Sequence, residues 1–177
     1  MLFVLIVLLL VASVFVLLMK KNRESLCLLG MCCSLMVQFS GILIFIAKKG
    51  GYSRSIINFL FFSQALRNKL QYLFITLDAL GYIIAVGRYL FPLFLLESAL
   101  QYSMIGWIRR HPDIQKWICV LPAATLAVYF PPVFRSIVNQ WPVMHSVLVE
   151  GAYWWITAYV AVALVLMIQE LFAITMR

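Results

Sequence analysis

The chain has 177 residues, 65% of them hydrophobic and only 11% charged, with a formal net charge of +8 and a mean hydropathy of +1.02. A soluble domain carries about 25% charged residues, so this chain lacks the polar surface to cover itself in water. Composition predicts an all-α, polytopic integral membrane bundle and excludes a water-soluble globular domain.

The positive charge does not mark a nucleic-acid partner. Its residues sit in short clusters at the ends of apolar runs, where Lys and Arg anchor helices and set orientation. The partner expected first is the lipid bilayer.

A spanning helix needs about 20 apolar residues. Leu2–Met19, closed by "KKNRE", is the first candidate. No basic residue precedes it and it is longer than a signal-peptide core, so it reads as a retained span. Leu26–Ala47, closed by "KKGG", is the second.

Residues 52–80 are apolar in patches and dotted with charge. They read as one or two interfacial or re-entrant helices; a further full span, making six, is the competing reading. The third span is Tyr82–Ile108, interrupted by Arg88, Pro92 and Glu97. The fourth runs over 117–137 and is cut by Pro131-Pro132; the fifth is Gly151–Thr175.

Between the third and fourth lies "RRHPD", which contains the tripeptide of J-domain co-chaperones. A J-domain needs a soluble helical hairpin, whereas Trp107 and Trp117 belong at a membrane interface. Pro112 and Asp113 suit the first turn of a helix instead. The positive-inside rule, applied to Lys20, Lys21, Arg23, Arg109, Arg110, Lys116 and Arg177, predicts a multi-pass cell-membrane protein with its N-terminus outside and its C-terminus cytoplasmic. Lys48, Lys49, Arg54, Arg67 and Lys69 then fall outside, against the rule.

Ionisable and polar groups inside the bilayer are the candidate site residues: Asp78, Arg88, Glu97, Glu150 and Gln38. Each charge is costly there and needs a partner or a task. Arg88, in the outer third of its span, is expected to pair with Glu150, or alternatively with Asp78. Glu97 is expected near mid-bilayer, where Gln38 could donate to it and Gln101 shares its helix face. Pro92 between Arg88 and Glu97 can kink the span. Such a network serves either registry or signal input.

Cys27, Cys32, Cys33 and Cys119 form no CxxC pair and read as small hydrophobes. The expectation is no cofactor, no metal site and no catalytic residue, since GxSxG, HExxH and Walker patterns do not occur. His145 is assigned to an outer loop. Tyr153, Trp154, Trp155 and Tyr159 are assigned to an aromatic belt, or alternatively to an aromatic pocket.

"KKNRESLCLLGMCCSLMVQFSGILIFIAKKGG", "LGYIIAVGRYLFPLFLLESALQYSMI" and "YFPPVF" together resemble the multi-span N-terminal input region of Gram-positive, clostridial-type sensor histidine kinases, over most of 20–135. These are apolar and aromatic patterns, and the phospho-acceptor and ATP-binding boxes of such kinases do not occur. The resemblance therefore carries over no catalytic residue. It implies a membrane sensor fragment that is not itself an enzyme, that meets an unidentified signal or membrane partner, and that pairs as a homodimer. The alternative function is a small transporter or channel subunit with Arg88 and Glu97 lining a pathway.

Overall fold

The computed structural model describes residues 1–19, 22–61, 63–102 and 113–175. Among them every regular element is a helix: α1 Leu2–Leu18, α2 Arg23–Lys49, α3 Arg54–Phe61, α4 Gln64–Gln71, α5 Leu77–Tyr102, α6 Asp113–Val128, α7 Pro131–Gln140 and α8 Met144–Thr175. The expected all-α bundle is what forms. Lys20, Lys21, Arg109, Arg110, the turn before Asp113, the end of the third predicted span and Arg177 lie outside the described residues.

Local chemistry sets the helix ends. Asn22 and Ser25 cap α2 reciprocally. Gly50 and Gly51 end it in the left-handed region, at φ 66° and 80°, where a side chain would be strained. Ser63 accepts from the Leu66 N–H to start α4, and Thr76 accepts from the Ala79 N–H to start α5. Pro131 and Pro132 open α7, where a missing N–H costs nothing.

Three helices, α2, α5 and α8, are long and apolar enough to cross a bilayer. A fourth crossing exists if α6 and α7, bent by 72° at their junction, act as one broken span. Helix α1, with 17 residues, reaches only about 26 Å against a hydrocarbon core of about 30 Å.

The structure revises several boundaries. The fourth span, expected to be cut at Pro131-Pro132, is two helices that meet there, because the prolines start a new helix. Residues 52–80 hold two short amphipathic helices and the first turn of α5. Each short helix has 8 residues, about 12 Å, too short to add a sixth span. Helix α8 begins at Met144, not Gly151, so His145 and Glu150 sit on a helix rather than in or beside a loop.

Helix α2 runs antiparallel to both α1 and α5. Its contact with α5 is the most extensive in the bundle, and glycines make it close. A Cβ on Gly87 would lie 2.4 Å from the Ser34 carbonyl oxygen and 2.6 Å from the Gln38 nitrogen; one on Gly41 would lie 2.8 Å from Ile84. Sequence spacing gives no GxxxG signature, yet each helix offers glycine to its neighbour, the device by which helices approach in lipid.

Two apolar cores flank this seam. One joins Leu43 and Ala47 to Ile57 and Phe61, with Leu2 and Phe3 against it. The other joins Leu96, Ala99 and Leu100 to Ala163 and Leu166. Large apolar side chains such as Leu8, Phe15, Leu164 and Phe172 stay exposed on the outside, as a lipid-facing surface requires.

The cores define two ends of the bundle. Met1, Lys49, Asp78 and Arg135 lie at one, the Lys49 end. Arg23, Glu97 and the last turns of α8 lie at the other, the Arg23 end.

Candidate functional site

A cavity of about 440 Å³ opens at the Lys49 end between α5, α7 and α8. Helix α5 contributes two adjacent stripes at helical spacing: Asp78, Tyr82, Ala85 and Tyr89 on one, Gly81, Ile84 and Arg88 on the other. The 72° bend after α6 turns α7 across the mouth, bringing Phe134 and Arg135 inward. Helix α8 supplies His145, Val149, Ala152, Tyr153 and Ile156, again one stripe.

The polar groups converge. Arg135 donates to the Asp78 carboxylate and ties α7 to the first turn of α5. Asp78 also suits the positive end of that helix. Arg88 lies ten residues further along α5, about 15 Å by helix rise. It faces the cavity, and among the described residues no carboxylate lies within ion-pair distance of it. An arginine at mid-span costs about 2.5–3.5 kcal/mol on insertion scales.

A continuous chain of ring contacts runs from α8 into the cavity lining, which it reaches at Tyr89, Tyr129, Phe134 and His145. Ring centroids run from Tyr159 to Trp155 at 5.1 Å, Trp155 to Tyr89 at 5.7 Å, and Tyr89 to Tyr129 at 5.4 Å. They continue to Phe134 at 5.1 Å and His145 at 5.7 Å. Tyr89 is 5% exposed. The four aromatic residues face different ways: Trp154 is 71% exposed, Trp155 and Tyr159 pack inward against other rings, and Tyr153 lines the cavity.

At the far end of this chain of rings, the Tyr159 hydroxyl donates to the Ile118 carbonyl at 2.9 Å. That carbonyl would normally accept from residue 122, but Pro122 has no N–H. The tyrosine satisfies the acceptor that the proline leaves orphaned. Pro92 likewise removes the donor for the Arg88 carbonyl, yet α5 continues through it as one helix.

The residues expected to form one network separate into two. Asp78 and Arg88 line the cavity. Glu97 lies at the Arg23 end, 3.5 Å from Arg23, beside Gln101, whose amide donates to Cys27 Sγ at 3.1 Å. Gln38 packs at the level of Gly87, ten residues or about 15 Å from Glu97, so the expected Gln38–Glu97 bond does not form. No ion pair joins Arg88 to Glu150 among the described residues, because Glu150 is exposed beside the cavity stripe of α8 rather than on it. Arg135 and Arg23 are the partners that sequence reasoning missed. The signal for Arg135 was a cation three residues after the paired prolines, near nothing else to pair with.

Among the described residues no group of His, Cys, Asp and Glu has metal-holding geometry. No family model, no curated protein and no solved structure matches the chain. Fold and cavity together describe an all-α bundle with the helices of a membrane protein and a mixed aromatic and cationic pocket at one end.

Proposed function

We propose that this chain is the membrane-embedded input module of a two-component sensor kinase. It senses at the cavity and passes a conformational change through α8 to a cytoplasmic output domain outside the sequence. In this reading α2, α5, the α6–α7 pair and α8 cross the membrane, and the shorter α1 is a fifth crossing with the chain on either side of it completing the span. The N-terminus and cavity face outward, and α8 ends in the cytoplasm.

One observation carries the proposal: α8 forms a wall of the cavity and also extends to the opposite end of the bundle. Its 32 residues rise about 48 Å, and from Ala152 to Thr175 it contains neither Gly nor Pro. A shift at Tyr153 is thus carried along a stiff rod. The ring contacts from Tyr89 to Tyr159 couple the same wall to α6. A ligand moves the rod only if it binds two α8 positions with different affinity.

The transporter alternative draws less support. Arg88 faces the cavity while Glu97 faces Arg23, on the opposite side of α5 and about 14 Å along it. The test is to join the chain after Arg177 to a histidine-kinase catalytic core and substitute Arg88→Met. Basal autophosphorylation or its response to added ligands should change while membrane insertion stays normal. Unchanged output across Arg88→Met and Tyr153→Ala would overturn the assignment.

A further inference from the structure

We infer that the cavity takes an anionic amphiphile, with its oxyanion head on Arg88 and its apolar body against the aromatic wall; the inference rests on the sensor reading for its purpose but not for its chemistry. Charge comes first. The lining holds two guanidiniums, Arg88 and Arg135, against one carboxylate, Asp78. That carboxylate is taken by Arg135. One positive charge remains in excess, and it sits on Arg88, an exposed side chain ten residues, or about 15 Å, along α5 from Asp78.

Geometry comes second. A guanidinium presents a planar fork that binds carboxylate or phosphate through paired, charge-assisted hydrogen bonds. The rest of the lining includes Tyr82, Tyr89, Tyr153, Ile84 and Ile156, which offer rings and aliphatic carbon to a hydrocarbon body. A volume of about 440 Å³ falls within the roughly 300–1,000 Å³ of small-molecule sites. A neutral or cationic amphiphile would leave the guanidinium unneutralised. A fully polar anion would leave the aromatic wall wet.

The shared chemistry is an oxyanion on an apolar chain, and it has two sources: a free amphiphile such as a fatty acid, or the phosphate of a bilayer lipid. The probe is a dodecanoate carrying a photoreactive diazirine near its tail. The protein is the full chain in phosphatidylcholine nanodiscs. Crosslinks should map to 82–89, 129–135 and 149–156. Unlabelled dodecanoate and dodecyl phosphate should compete at least about tenfold better than dodecanol, the advantage expected of a charge-assisted pair. Arg88→Met should erase that advantage while dodecanol competes as before; Arg88→Lys should retain most of it.

Replacing part of the phosphatidylcholine with phosphatidylglycerol separates the sources. An Arg88-dependent loss of crosslinking assigns the site to a lipid headgroup, and unchanged crosslinking assigns it to the free amphiphile. Equal competition by dodecanol, crosslinks spread over the lipid-facing residues of α1, or an Arg88→Met protein that keeps the anion preference would each overturn the inference. Anion-selective crosslinking with no response of the kinase fusion would sink the sensor reading alone. A fusion that answers dodecanol as it answers dodecanoate would sink the ligand class alone.

Discussion

Arg23 and Glu97, 74 positions apart in the chain, meet at 3.5 Å where α2 begins and α5 nears its end. Their meeting places Glu97 at the edge of the bundle rather than at its middle, and so separates it from Arg88. The side chains are 60% and 23% exposed, and a pair this wet contributes no more than about 1 kcal/mol. Glu97→Gln should therefore lower the thermal midpoint in detergent only slightly. Glu97→Arg should lower it more, and adding Arg23→Glu should recover part of the loss. A double variant no better than the sum of the single changes would show that the contact is incidental.

The α2–α5 seam should be the least tolerant place in the molecule. A methyl group at Gly87 meets backbone atoms of Ser34 and Gln38, which cannot swing aside as a side chain would. Gly87→Ala should destabilise by about 1–3 kcal/mol, the usual cost of overpacking. At Gly151 a Cβ meets nothing within 4 Å, so Gly151→Ala should be neutral or slightly stabilising. Chemical unfolding of both variants in mixed micelles would check the contrast, and equal effects would contradict the packing.

Tyr159 and Pro122 should behave as one unit. Tyr159→Phe strands the Ile118 carbonyl and should cost about 1–3 kcal/mol, the penalty for an unmet buried acceptor. Pro122→Ala restores an in-helix N–H for that carbonyl. In its presence Tyr159→Phe should cost measurably less. Additive effects in the double-mutant cycle would mean the carbonyl has another partner.

The bundle places Ser53 beside the end of α2 at the Lys49 end, and Asp113 opposite, at the start of α6. In a background lacking the four native cysteines, Ser53→Cys and Asp113→Cys should react with an impermeant thiol reagent from opposite faces of the membrane. Labelling of both from one face would refute the crossing order.

Much of the architecture was legible in the chain. Hydropathy alone marks the apolar runs behind α1, α2, α5 and α8, because a helix that faces lipid advertises itself in every residue. Charge punctuation located the breaks, and Pro131-Pro132 located the bend. Asp78 and Arg88, which line the cavity, stood out as candidates by cost alone: an ionisable group in an apolar run is conspicuous without any structure.

Partnership was not legible, and the reason is physical. A depth along one helix does not say which neighbour lies at that depth, so the sequence pointed to Glu150 and Gln38 and not to Arg135 and Arg23. Only the antiparallel packing of α2 on α5, set by Gly87 and Gly41 against neighbouring atoms, decides that Glu97 sits with Arg23 and Gln38 with Gly87. Only the 72° turn between α6 and α7 carries Arg135 to Asp78 and Phe134 into the cavity lining. Composition determines that this chain forms apolar helices; the close approach of their backbones determines which of its few charges meet, and which one is left facing the cavity.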